Sequence, residues 1–280
     1  MAPMSDVDEL YVMARRVLLD ALNAIGAHRD AIVLVGAQAV YLRVGEADLA
    51  VAPFTTDGDL AIDPSVLTEI PPLEQALMGA GFHPKTKDSV GIWVAKRATQ
   101  LLVDIDVGID LLVPASISPG TGRRAAKLTG HDARAARIVH GLEGAVVDAD
   151  VMTLKALDVD DSRAIDIRVA GPAALLVAKV HKISERQGTS RLSDKDALDV
   201  VRLLRGTETD DLATRYEKLL ADARSADVAK AGRDLFATQF SKRANLGVQM
   251  AIRSAGVLAD PEELAASCEA LSSDLLAALK

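Results

Sequence analysis

The segments Ala31-Ile32-Val33-Leu34-Val35-Gly36-Ala37-Gln38 and Thr55-Thr56-Asp57-Gly58-Asp59-Leu60-Ala61-Ile62-Asp63 restrict the fold of this chain more than any others. The first is a short, mostly β-branched run closed by a glycine, the pattern of a buried strand that turns at once into a helix. In the second, two acids stand one residue apart inside an apolar run. If that run is a strand, Asp57 and Asp59 point the same way, because side chains alternate faces with period two. Like charges held that close repel unless a cation lies between them, so the economical reading is a divalent metal held by oxygen ligands, magnesium first and manganese as its substitute. Asp-X-Asp pairs also occur in solvated turns, and the pair alone does not decide. Gly36 adds weight: a residue without Cβ at a strand-to-helix turn lets a phosphate approach the backbone N–H groups of the helix start.

The alternation of elements continues beyond these two segments. Ser5 to Ile25 reads as an amphipathic helix with Ser5 as N-cap and Val7, Leu10, Val17, Leu18, Leu22 and Ile25 at helical spacing. Gln38 to Val44 is expected to be helical, Gly58 to Ile62 a strand closed by Pro64, and Leu73 to Ala80 a helix stopped by Gly81. Apolar runs follow at Ser89 to Ala95 and Leu101 to Pro114, the second divided by Gly108 at a bulge or a turn. Shorter strands are expected at Ala136 to Val139, at Val146 to Val147 and around Ile165 to Val169. From Pro172, placed at the first position of a helix, the period changes to 3.6. That helix carries Leu175, Leu176, Val180 and Ile183 at helical spacing, and further helices are predicted over Asp194 to Leu204, Thr207 to Ala223, Ala226 to Phe240 and Pro261 to Leu279. The expected class is α+β: a mixed sheet with flanking helices over 1–170, followed by a helical domain over 171–280.

Composition narrows the function classes. Of the 280 residues 49% are hydrophobic and only 3% aromatic, so the core must be built from Ala, Val, Leu and Ile. The single cysteine, Cys268, excludes an internal disulfide and a cysteine-rich zinc site, in keeping with a reducing cytoplasm. No apolar run approaches the ~18 residues of a membrane span, and Arg15, Arg16 and Asp20 interrupt the N-terminal apolar positions, so neither a leader nor a membrane partner is expected. A net charge of −8 argues against a uniformly basic nucleic-acid coat and leaves room for local patches. Two exist, Arg123-Arg124 with Lys127, and Lys179 with Lys182, Arg186 and Arg191.

Other chemistries are not written here. The histidines at 28, 83, 131, 140 and 181 lack metal-ligand spacing, and there is no His-Glu-X-X-His, no Walker A loop and no Gly-X-Ser-X-Gly elbow. His181 reads as a surface histidine. A third carboxylate beside Asp57 and Asp59 would complete a site for two ions. Asp110, within Ile109-Asp110-Leu111-Leu112-Val113-Pro114, is the first choice, since an acid among aliphatic residues on a strand needs a partner. Asp104 and Asp106 repeat the Asp-X-Asp spacing and compete with it. Lys179 sits among Leu175, Leu176, Val177 and Val180, either as a surface lysine with a buried stem or as a point charge for phosphate. Arg186 lies two helical turns on, and Asp194 reads as an N-cap with Asp196 and Asp199 in or near the first turn that follows.

In order and spacing these parts resemble the AbiEii/AbiGii-type nucleotidyltransferase toxins, a branch of the DNA polymerase β-like nucleotidyltransferase superfamily. The resemblance runs from about Ile32 to Leu204 and rests on Gly36-Ala37, Asp57-Gly58-Asp59, Lys179, Arg186 and Lys195-Asp196-Ala197-Leu198-Asp199. It implies that Asp57, Asp59, Lys179 and Asp196 are catalytic, that Gly36, Ala37, Lys179, Lys182 and Arg186 bind the nucleotide, and that Asp57, Asp59 and Asp110 hold the metal. Two departures stand out. Ala37 replaces the family's Ser or Gly, which removes a hydroxyl contact, and Gly58 replaces an aliphatic residue, which is expected to loosen the strand.

The activity implied is transfer of a nucleoside monophosphate from a nucleoside triphosphate to an acceptor with magnesium. By resemblance the acceptor is the 3′ end of tRNA, and the protein is a cytoplasmic toxin neutralised by a cognate antitoxin protein. A small hydroxylated acceptor is the enzymatic alternative. A transferase fold kept only to bind a partner is the non-enzymatic one.

Overall fold

The computed structural model describes residues 6–45, 49, 54–98, 105–118 and 124–279. In chain order the elements are α1 (Asp6–Ala24), β1 (Ile32–Val35), α2 (Gly36–Val44), β2 (Asp57–Ile62), α3 (Leu73–Gly79), β3 (His83–Pro84), β4 (Ile92–Arg97), β5 (Ile105–Pro114), β6 (Arg137–Val139), β7 (Ala149–Lys155) and β8 (Ala164–Ala170). Six helices follow: α4 (Pro172–Arg186), α5 (Asp194–Gly206), α6 (Thr209–Ala221), α7 (Ala226–Phe240), α8 (Leu246–Ala255) and α9 (Pro261–Ala278). The class is α+β, with a mixed sheet followed by a helical region. The chain forms two compact units, one of Met1–Gln38, Phe54–Val139 and Asp150–Val169, the other of Ala39–Pro53, His140–Ala149 and Ala170–Lys280.

The first unit is organised by the sheet, whose strands run in the order β3-β4-β5-β2-β1-β8-β7 with β6 also paired to β5. All four residues of β1 are buried, as its unbroken aliphatic run requires of a strand covered on both faces. β2 lies antiparallel to β1 and parallel to β5, so the acid-bearing strand is held between two others. Leu18 of α1 packs against Gly58, where an added Cβ would lie 3.0 Å from Leu18 Cδ1 and 2.9 Å from Ile109 Cδ1. Gly58 therefore does not loosen β2: it is the small residue that lets the helix and the neighbouring strand close over it.

Two further expectations are corrected. Gly108 does not divide the run before Pro114, because it pairs in register with Asp57 on one side and Val94 on the other, and β5 continues unbroken through it. Val146 and Val147 form no strand. Glu143 to Val146 is a single 3-10 turn, and the strand starts at Ala149, where mostly exposed side chains hide it from an apolar count.

The second unit consists of α4 to α9 together with Ala39–Pro53 and His140–Ala149. Pro172 opens α4 after Gly171, and the Asp148 carboxylate accepts from the Ala174 N–H at 3.2 Å. Ser193 rather than Asp194 is the N-cap residue of α5, and Asp194 is instead gripped by Arg253 of α8 through two hydrogen bonds of 2.8 Å. Helix α8 falls between the helices that the sequence pattern predicts. It is only ten residues long, yet it buries Val248, Met250 and Ala251. His181 is not a surface residue: it is buried, with its Nε2 2.9 Å from the Val228 carbonyl oxygen. Burial holds its pKa below the ordinary value, with His140 adding to the effect against the Val228 hydrogen bond. Ser5 and Arg123 lie outside the described residues.

Candidate functional site

Strand register places the acids. Asp59 is the Cα partner of Asp110 on the parallel neighbour β5, and Asp57 is the partner of Gly108 two residues before it. Paired residues of adjacent strands share a face and residues two apart on one strand do too, so Asp57, Asp59 and Asp110 lie on one face of the sheet. Asp106 falls on this face one step farther along, exposed and paired with Lys96. Asp104 lies outside the described residues.

Gly36 completes this edge. Its φ is +70°, in the left-handed region, and a Cβ there would stand 2.1 Å from Asp59 Oδ2 and 2.8 Å from its Cγ. The Asp59 carboxylate thus occupies the space beside the first residue of α2 that any other amino acid would fill. Ala37 follows in the first turn of α2, so its backbone N–H belongs to the helix end that has no intrahelical acceptor.

Three further residues fix Asp57. The buried Gln38 side chain donates to the Asp57 carbonyl at 3.0 Å and accepts from Arg15 Nε at 2.7 Å. Arg15, buried in α1, also donates to the Lys155 carbonyl at 2.8 Å, and its burial lowers its pKa against the opposing effect of Tyr11. Thr55 donates its hydroxyl to Asp57 Oδ1 at 2.7 Å. A buried glutamine just inside a helix and an arginine on an apolar face are the only sequence signals of this relay, and periodicity alone reads both as surface positions.

Asp110 is engaged by the Arg137 guanidinium through Nη2. Among the described residues no group of three or more His, Cys, Asp or Glu side chains could hold a metal ion as it stands. The donor set fits magnesium in a narrower sense. Mg2+ is commonly bound through one or two carboxylates with substrate phosphates and water completing the octahedron, and the Asp57 and Asp59 pair beside a helix start supplies that much.

The second unit holds a separate cluster. Lys179 Nζ donates to Asp196 at 2.8 Å and to Asp199 at 2.6 Å, and Lys182 Nζ reaches the same oxygen of Asp196 at 2.9 Å. Lys179, Asp196 and Asp199 are all buried. Burial alone would lower the Lys179 pKa, but attraction to Asp196 and Asp199 outweighs it and holds the ammonium charged above its ordinary range. Burial would likewise raise the Asp196 pKa, and the two lysines hold it below the usual carboxylate range instead. Arg202 stands 3.4 Å from Asp199, with its guanidinium 5.2 Å from the centre of the Tyr41 ring. Arg186 ends α4, half-buried.

No family model matches the chain, and no curated protein matches it. Among solved structures, it is similar to an antigenic nucleotidyltransferase-like protein from Paracoccidioides brasiliensis, with a TM-score of 0.41 and 17% identity over 82% of this chain and 95% of that one. No helix among the described residues is long and apolar enough to cross a membrane.

Proposed function

We propose that the protein is a magnesium-dependent nucleotidyltransferase that moves a nucleoside monophosphate from a nucleoside triphosphate to an acceptor hydroxyl. The observation that carries this reading is the Gly36 and Asp59 contact: a left-handed glycine opens the start of α2 for the carboxylate that shares its face with Asp57 and Asp110. When bound, magnesium supplies charge neutralisation for the triphosphate and for the oxygens entering and leaving phosphorus. Asp57 and Asp59 would hold the cation, and Thr55 and Gln38 keep Asp57 in place. The N–H groups that open α2 are donors for phosphate oxygen. The acceptor oxygen bonds to the α-phosphorus, the bond to the bridging oxygen breaks, pyrophosphate leaves, and the hydroxyl proton passes to solvent.

By resemblance, Lys179, Lys182 and Arg186 serve the nucleotide and Asp196 the chemistry, the acceptor is tRNA at its 3′ end, and an antitoxin restrains the activity in the cytoplasm. Arg124 and Lys127 are exposed on the segment that follows β5, and they support an RNA acceptor, since phosphate contacts dominate such binding. One observation favours a partner-binding module without chemistry: Arg137 already occupies Asp110.

Labelled nucleoside triphosphates with total RNA and magnesium test the reading. An RNA of tRNA size is expected to take up label, and Asp57→Asn and Asp59→Asn are each expected to abolish uptake while unfolding like the parent. Label on a small hydroxylated compound alone would move the acceptor to that class. Uptake by both variants at the parent level would remove the metal pair from the mechanism.

A further inference from the structure

Arg137 is set in place by the path of the backbone. Strand β4 pairs with β5 as far as Ile92 opposite Asp110, then leaves, and β6 takes over the same edge with Arg137 opposite Leu112. Gly91 is the point of exchange. Its φ is +67°, its N–H donates to the Arg134 carbonyl at 2.9 Å, and its carbonyl accepts from Leu111 at 2.8 Å. A Cβ at Gly91 would lie 2.5 Å from the Leu111 oxygen and 2.6 Å from the Arg137 nitrogen, so only glycine lets β6 approach. The other side of Arg137 is bridged to Ala125. In parallel register Arg137 shares the face of Leu112, hence that of Asp110, and its guanidinium reaches back along β5 to the carboxylate. The side chain is 23% exposed and Asp110 17%, and Arg137 Nε is buried with no hydrogen-bond partner among the described residues.

We propose, resting on the transferase reading above, that Arg137 is a built-in cation standing where a second metal ion would bind, so that this protein takes one divalent ion per chain at Asp57 and Asp59 and none at Asp110. A guanidinium keeps its charge at every working pH, and a divalent ion sharing the Asp110 carboxylate would sit against it, like charge to like. Asp110 is in this account a positioning residue that holds Arg137 beside the metal pair, and Arg137 supplies the positive charge that a two-ion centre draws from its second metal.

The test counts bound Mn2+ by the loss of its free electron paramagnetic resonance signal, with the full chain and a non-hydrolysable nucleoside triphosphate analogue. The parent is expected to bind one ion per chain, Asp110→Asn one ion with affinity within about twofold, and Arg137→Ala two. Arg137→Lys, which keeps the charge, is expected to bind one, and it serves with Asp110→Asn if Arg137→Ala does not fold. Two ions in the parent, or a tenfold or greater loss of affinity in Asp110→Asn, would overturn the proposal and leave the transferase reading standing. Absence of Mn2+ binding from the parent and every variant would overturn both.

Discussion

Replacing Gly36 by alanine separates the cost of a backbone conformation from the cost of displacing a carboxylate. At φ +70° a non-glycine residue is strained, at about 1–3 kcal/mol. With about 2–4 °C of melting temperature per kcal/mol, the strain alone lowers the transition by about 2–12 °C. The new Cβ would also stand 2.1 Å from Asp59 Oδ2, so the carboxylate must retreat by about 1 Å. Displacements of that size at a catalytic group cost about 10²-fold in rate. Gly36→Ala is thus expected to lose both stability and nucleotide-dependent Mn2+ binding. Gly58→Ala is the control, because the atoms nearest its Cβ are the flexible ends of Ile109 and Leu18, at 2.9 and 3.0 Å, with the Leu18 Cβ at an ordinary 3.5 Å. Overpacking there costs about 1–3 kcal/mol, while the acids keep their places and their ion. Adding Asp59→Ala to Gly36→Ala removes the contacts with the carboxylate but leaves the Cβ at 59 only 2.9 Å from the new one, so it should restore part of the stability and leave the strain with that contact. Thermal denaturation and Mn2+ titration read both quantities. Unaltered Mn2+ binding in Gly36→Ala would refute the claim that this glycine makes room for a ligand.

Three other outcomes are expected. Lys179→Met leaves two buried carboxylates without their shared ammonium and should cost about 3–5 kcal/mol in urea denaturation, partly recovered by adding Asp199→Asn, and a change below about 1 kcal/mol would contradict the buried network. Gln38→Ala strands the buried Arg15 Nε and frees the Asp57 carbonyl, costing about 1–3 kcal/mol with a fall in transfer rate, and equal melting temperatures for variant and parent would discount the relay. His181 and His131 have pKa values lowered below 6.5 chiefly by burial, so the unfolded chain binds more protons in the window below that value. Their contribution is complete above about pH 6.5 and is lost as pH falls through the lowered values. Melting temperature should therefore drop between about pH 7 and 5, less steeply in His181→Gln, and a flat profile in the parent would count against histidines kept neutral by the buried site of His181 and the half-buried one of His131.

The parts of this molecule that were legible in the sequence are those in which a local pattern and its tertiary use coincide. Helix α7 occupies the expected residues Ala226 to Phe240, and β1 is the buried run that its aliphatic residues require. What stayed hidden depended on partners far along the chain. Gly58 reads as a weak point until Leu18 and Ile109 are seen against it, and Gly108 reads as a break until Asp57 and Val94 flank it. The same holds for chemistry. Asp-X-Asp spacing predicts one shared face, a property of a single strand, but the register that sets Asp110 opposite Asp59 belongs to two. Arg137 could not be found by motif, since its place depends on Gly91 ending one strand so that another can begin. A charged residue on a three-residue strand is ordinary in composition, and only the ladder shows that it faces the acids. The physical content of the site therefore lies in two glycines as much as in the carboxylates: Gly36 admits a carboxylate beside a helix start, and Gly91 admits a strand that carries a guanidinium to its neighbour.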